Sequence, residues 1–265
     1  MPRAKLPPSA HGVELNLSLP FDSARTRGIL LDIEGTTTPT DFVYNTLFPF
    51  ASVHVEDFLR AHIEDDEIRA FVDELRQHHQ RDAQGDATVS TWRDETSADR
   101  VHSAASYVRW LIQHDSKITS LKALQGKIWE AGYHNSELRG AVYPDVPPAL
   151  ARWRAQGRRL VIFSSGSVLA QKLLFAFSTA GDLTPFLDGF FDTTTGPKHE
   201  VASYRRIAAG LGVANSEVLF LSDVTTELDA ARATGMQTAL AWRPGAPMPA
   251  ASSHPRIRSF DEVFP

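Results

Sequence analysis

Cysteine is absent from this 265-residue chain, and its absence excludes disulfides, thiolate nucleophiles and cysteine-ligated zinc sites together. Such a composition suits a reducing, cytoplasmic setting. Positive charge is in short supply as well. Twenty-seven lysines and arginines against 32 acids leave a net charge of −5, which offers no general attraction for nucleic acid or an anionic membrane. Any phosphate must therefore be met by a local arrangement of groups, and small molecules are the expected partners. No apolar run is long enough to span a bilayer. Residues 1–27 read as a polar, proline-containing and loosely held leader without the apolar centre of a signal peptide. The ten histidines fall into no metal-ligand spacing. His78 and His79 read as part of a polar helix face, and Asp65, Asp66 and Glu67 as solvated. No Gly-x-Gly-x-x-Gly follows the first strand and no Walker-type glycine loop is present, so neither a dinucleotide site nor a P-loop is expected. No internal repeat, low-complexity tract or coiled-coil pattern occurs, which makes a monomer the expected state.

What the chain does have is 42% hydrophobic residues, enough to bury a full core. The run Ile29-Leu30-Leu31-Asp32-Ile33-Glu34-Gly35-Thr36-Thr37-Thr38 stops at a carboxylate and turns through glycine and hydroxyls. A short apolar run bounded by turn residues predicts a buried parallel strand, and open α/β sheets bind ligands beyond the carboxyl ends of such strands. If the extended path persists past Asp32, Glu34 faces the same side. Two acids so placed repel each other, and a divalent metal is the simplest remedy, because hard cations prefer carboxylate oxygens.

From about 41 to 140 the pattern is helical. Asp41 is placed to cap a helix carrying Val43, Leu47 and Phe50, which Pro49 should kink or divide. Ile68, Phe71, Val72 and Leu75 form one apolar stripe, and Val101, Ala105, Val108, Leu111 and Ile112 another; both belong to a core rather than to a cofactor site. The stretch from Gln84 to Thr91 reads as an exposed loop. From Tyr143 onward helices and strands alternate. Arg159–Phe163 ends at Ser164-Ser165-Gly166-Ser167, Gly189–Phe191 precedes Gly196-Pro197-Lys198, Glu217–Leu221 ends at Ser222-Asp223, and Thr238–Ala241 supplies a last strand. Alternation of this kind predicts a parallel sheet. The expected architecture is one α/β domain, residues 28–40 and 141–265, interrupted by a helical block of about 100 residues at 41–140.

Four strand-terminal loops then bring Asp32 with Glu34, Ser164 with Ser165, Lys198, and Asp223 to one edge of the sheet. A phosphoryl-transfer site requires a nucleophile, a cation, hydrogen-bond donors for phosphate oxygens and a positive side chain, and each has a candidate here. Each also has a plainer explanation. Serine is a preferred N-cap, isolated loop lysines are usually solvated, and Glu227, one helical turn beyond Asp223, could be an ordinary acid at a helix start.

The Asp-x-acid-Gly-Thr string at 32–36 resembles the first motif of the haloacid dehalogenase superfamily. Ser164 with Gly166, Lys198, and Leu219 to Glu227 resemble its second, third and fourth motifs. Glu34 in place of a second aspartate, together with Phe163-Ser164-Ser165-Gly166-Ser167-Val168, Ala170-Gln171-Lys172-Leu173-Leu174-Phe175 and Leu124-Gln125-Gly126-Lys127-Ile128-Trp129, is similar to the enolase-phosphatase (acireductone synthase) family. This resemblance implies a Rossmann-like haloacid dehalogenase core with an inserted helical cap, and a Mg²⁺-dependent reaction on 2,3-diketo-5-methylthiopentyl 1-phosphate in the methionine salvage pathway. It implies Asp32 as the nucleophile that takes up the phosphoryl group, Glu34 managing protons or metal, and Ser164, Ser165 and Lys198 binding substrate. Asp32, Glu34 and Asp223 are then the expected metal ligands, with Glu227 orienting Lys198 or a metal-bound water. A phosphatase for another small metabolite and a non-catalytic binding module that kept the fold remain the alternatives at this point.

Overall fold

The computed structural model describes residues 21–247 and 252–265. Six strands, β1 (Gly28–Leu31), β2 (Arg159–Phe163), β3 (Gly189–Phe191), β4 (Val218–Ser222), β5 (Gln237–Ala241) and β6 (Arg256–Ile257), form one sheet in the order β3-β2-β1-β4-β5-β6. Every pairing is parallel. Residues of β1 and β4 are buried throughout, as central strands covered on both faces must be. Alternation along the strands sorts them into two cores. Ile29, Leu31, Ile162 and Leu221 join one apolar cluster, whereas Leu30, Val161, Phe163 and Phe220 join another with Tyr204 and Ile207. The first cluster runs on without a break into the helical block, through Leu59, Val72, Val108 and Leu124.

That block comprises α1 (Thr40–Phe42), α2 (Phe48–His62), α3 (Asp66–Gly85), α4 (Ser97–Gln113) and α5 (Thr119–His134). Asp41 is not its cap. The first turn starts at Thr40 with Pro39 in the capping position, which leaves Asp41 inside that turn, where its charge favours the positive end of the helix. A wide π-helical turn at Val43–Leu47 separates α1 from α2, and Pro49 lies in the first turn of α2. Proline is tolerated there because its missing N–H is not needed. His79 also departs from expectation. It is buried, its Nε2 lies 2.7 Å from the carbonyl of Ser90, and its ring packs against Trp92 and Tyr107. α3 continues to Gly85, so the loop begins at Asp86, whose carboxylate accepts the amide of Thr88.

The helices of the α/β part are α6 (Val146–Ala155), α7 (Val168–Ala176), α8 (Val201–Leu211) and α9 (Thr225–Arg232). Strand β6 has no counterpart in the sequence reading, since two residues carry no periodicity. Of the leader, residues 1–20 lie outside the described residues. Residues 21–27 are held in place: Phe21 meets Phe264 edge to face with centroids 6.4 Å apart, the Asp22 amide donates to Gln237, and the Arg27 amide donates to the Glu217 carbonyl. Among the described residues no helix is long and apolar enough to cross a membrane.

Candidate active site

Chain order determines where the site lies. From β1 the chain proceeds to β2 and β3 on one side, then returns to build β4, β5 and β6 on the other. The reversal falls between β1 and β4, the kind of switch point at which open α/β sheets leave a crevice. In the β1–β2 and β1–β4 ladders Leu31 is level with both Ile162 and Leu221. One step further along, Asp32 therefore stands level with Phe163 and Ser222, and Ser164 and Asp223 come next at the rim. Beyond β1 the chain closes into a tight loop, with the Ile33 carbonyl accepting the amides of Thr36, Thr37 and Thr38.

Asp32, Lys198 and Glu227 meet in a buried cluster. The Lys198 ammonium lies 2.5 Å from Asp32 Oδ1 and 2.8 Å from Glu227 Oε2, while its backbone carbonyl accepts the Tyr204 hydroxyl. Burial works against the charge on Lys198, but the two carboxylates outweigh it and hold its pKa above the ordinary lysine range. Lys198 is thus not a solvated loop lysine, and Glu227 is not an exposed helix-start acid. Ser222, which the sequence reading passed over, lies under the cluster. Its hydroxyl is 3.1 Å from Glu227 Oε2 and 3.3 Å from Asp32 Oδ2, and it accepts the Val224 amide. One hydroxyl proton can serve only one of the two acids at a time. Its only trace in the sequence is that a polar residue ends an otherwise apolar strand.

Asp223 closes against the first loop at Gly35. The backbone there has φ +69°, and a Cβ at this position would overlap the Asp223 carboxylate, so Gly35 is required both by conformation and by close approach. Burial, followed by the charge of Asp32, pushes the Asp223 pKa up to about 7. The same two causes push Glu227 up to about 7, with Lys198 and Ser222 opposing. Glu34 is raised by burial and then by Asp32. Four acids thus share one buried ammonium. The arrangement is short of positive charge, and a divalent cation fits it on that ground. Among the described residues, no three acids or histidines are gathered closely enough to hold a metal by side chains alone. Magnesium needs only one or two carboxylates, with water and substrate oxygens completing its shell.

Replacing Gly35 by alanine should therefore do more harm to activity than to folding. The left-handed conformation costs about 1–2 kcal/mol for a residue with a Cβ, whereas displacement of Asp223 should lower turnover at this site about 100-fold. A variant melting well below the parent yet turning over normally would contradict this.

Above the cluster a cleft of about 670 Å³, open mouth included, separates the strand ends from the helical block. Glu34, Ser164 and Ser165 line its sheet side, with the Ser164 hydroxyl 3.5 Å from Glu34 Oε2. Capping does not explain Ser164 or Ser165, because the N-cap of α7 is Ser167, which accepts the Ala170 amide. Gln171, 1% exposed, ties this loop down by donating from Nε2 to the carbonyls of Gly166 and Phe191. On the opposite wall Phe48 stacks on Trp129 with centroids 6.4 Å apart, and the Trp129 indole donates to the Leu47 carbonyl of the π-helical turn. All seven site residues expected from the sequence thus converge, Glu34, Ser164 and Ser165 on the cleft lining, Asp32, Lys198 and Glu227 in the largely buried group beside it, and Asp223 at its exposed edge.

A second residue that sequence reasoning missed is Arg243. Fully buried, it donates from Nε and one terminal nitrogen to the Thr36 carbonyl, at 2.8 and 2.6 Å, and from the other terminal nitrogen to Asp145 at 2.5 Å. It therefore fastens the back of the Asp32 loop to the start of α6.

Residues 26–235 match the family model of the haloacid dehalogenase-like hydrolases. The enolase-phosphatase E1 of Synechococcus elongatus is 51% identical over 235 residues, which span 89% of this chain and 96% of that protein. The Pseudomonas aeruginosa protein of the same name is 44% identical over 237 residues, 89% of this chain and 97% of its own. Among solved structures, the UTR4 protein of Saccharomyces cerevisiae superposes with a TM-score of 0.71 at 34% identity, covering 89% of this chain and 99% of that one. A haloacid dehalogenase-type phosphatase from Thermococcus onnurineus, 21% identical with a TM-score of 0.53 over 90% of this chain and 96% of that one, shares the fold. With its four strand-end motifs gathered at one switch point, the chain belongs to the haloacid dehalogenase-like hydrolases and, within them, to the enolase-phosphatase family.

Proposed function

We propose that the protein is a Mg²⁺-dependent enolase-phosphatase of methionine salvage, converting 2,3-diketo-5-methylthiopentyl 1-phosphate through its enol to the acireductone and inorganic phosphate. The observation that carries this reading is the buried pair of Asp32 with Lys198, next in the chain to a cleft whose sheet side presents Ile33, Glu34, Ser164 and Ser165. Asp32 and Asp223 would hold the magnesium ion. When bound, it supplies Lewis acidity to the phosphate oxygens and neutralises the excess of carboxylates.

The chain's own residues account for the remaining steps. Ser164 and Ser165 donate to the phosphate oxygens, and Lys198 holds Asp32 in place. For enolisation, the C–H bond at the phosphate-bearing carbon breaks. Its electron pair forms the carbon–carbon double bond, the carbonyl π pair moves onto oxygen, the proton passes to Glu34, and the enolate oxygen takes a proton from solvent to give the enol. Asp32 then attacks phosphorus, forming an aspartyl phosphate as the ester P–O bond breaks, while Glu34 returns its proton to the leaving oxygen. Water cleaves the acyl phosphate with Glu34 as base, releasing phosphate and restoring Asp32. In this reading residues 41–140 act as a cap over a core formed by 28–40 and 141–265, excluding water from the reaction.

The test supplies purified protein with the diketone ester and Mg²⁺, following enol absorbance and free phosphate separately. Enol should appear first and phosphate second, with EDTA abolishing phosphate release. Phosphate from an aryl ester without any enol from the diketone would reduce the protein to a plain phosphatase.

A further inference from the structure

The core side of the site spends its one ammonium on Asp32 and Glu227, so charge that develops on the substrate away from the phosphate must be met from the opposite wall. Two lysines line that wall. Lys117 is already engaged, with its ammonium 2.5 Å from Asp115 and 5.6 Å from the centre of the Phe48 ring. Lys122 stands differently. It enters the cleft from the first turn of α5, half-buried, and among the described residues its ammonium has no hydrogen bond or ion-pair contact. Burial, then the nearby charge of Lys117, lower its pKa, and Asp192 is the acid that opposes them.

We propose that Lys122 is the electrophile of the enolisation step, donating a hydrogen bond to the substrate carbonyl oxygen that becomes negative when the adjacent carbon loses its proton to Glu34. The inference rests on the enolase-phosphatase reading above. The phosphate is held at the sheet side by Ser164 and Ser165, and the carbonyl carbon lies two bonds beyond the ester oxygen, within the cleft whose facing wall Lys122 lines. An unpaired ammonium in a half-buried cleft stabilises a developing oxyanion without first giving up another partner. Two other donors on this wall, the Gln125 amide and the Ser116 hydroxyl, carry no charge. Asp32 attack on phosphorus develops no charge at the carbonyl, so Lys122 serves the first step and not the second.

Two substrates separate the steps, the diketone ester for enolisation and an aryl phosphate, which has no enolisable carbonyl, for phosphoryl transfer. Lys122→Met should lower kcat for enol formation by about 10²–10³-fold while leaving aryl phosphate hydrolysis within about threefold of the parent. Lys122→Arg, which restores a charged donor, should recover about tenfold or more of that loss. Enol formation within about threefold of the parent in Lys122→Met, a parallel fall in both activities, or an arginine variant as slow as the methionine one would each overturn the assignment. A parent protein inert toward both substrates with Mg²⁺ present would instead remove the enolase-phosphatase reading on which it rests.

Discussion

Asparagine in place of Asp32 should lower phosphate release by about 10⁴-fold or more, because an amide cannot form the acyl phosphate. The fold should not suffer. Asp32 is the acid whose charge acts on Glu34, Asp223 and Glu227 together, so removing it relieves three repulsions at the cost of the ion pair with Lys198 and a weakened contact with Ser222. The melting temperature of Asp32→Asn is expected to equal or exceed that of the parent, the usual relation between a strained site and stability. Phosphate release and a thermal melt on the same preparation decide the matter. Near-normal turnover in a preparation free of parent enzyme would reject Asp32 as the nucleophile. A loss of turnover accompanied by a large fall in melting temperature would mean that the aspartate mainly holds the strand ends together.

Arg243→Ala should show the opposite pattern, with the larger effect on stability. Removal of the guanidinium leaves Asp145 without its ion-pair partner in a buried setting, although Phe260 N–H and Ser259 Oγ still reach it, and strips the Thr36 carbonyl of two donors. The guanidinium also packs between the rings of Tyr143 and Phe260, 4.5 and 4.2 Å from their centres. Breaking a buried pair from one side costs about 3–5 kcal/mol, which for a chain of this size is a melting-temperature drop on the order of 10 °C. Arg243→Lys should recover little, because a single ammonium cannot span Thr36 and Asp145 in the planar geometry of the fork. Activity is expected to fall as a consequence, since the loop fastened by Arg243 is the one that carries Asp32 and Glu34. An alanine variant melting within about 2 °C of the parent would show that the clamp is not needed.

These two residues differ in how far each could be read in advance. Asp32 announces itself: an apolar run that ends in a carboxylate followed by glycine and threonine has few structural uses. Arg243 does not, because nothing in Trp242-Arg243-Pro244 distinguishes a buried clamp from a surface arginine. Ser222 is intermediate, visible as a strand end but not as a bridge between two acids. His79 and Asp41 depart from the sequence expectation for a related reason. A polar side chain on a helix can face solvent or a buried carbonyl, and local sequence does not say which. Pro49 signalled a break in the helix, yet the wide turn falls just before it and supplies a wall of the cleft.

Local sequence by itself determined the order of the first five strands and the helical segments between them, and the residue types at those strand ends, because periodicity and turn chemistry act over a few positions. Tertiary structure decided which of those ends became neighbours, which acids share a single ammonium, and which lysine on the facing wall stays unpaired. The physical reason is that charge interactions and burial depend on distance through space. Residues 32, 198, 223 and 227 acquire their properties only when the reversal of strand order at β1 sets them side by side.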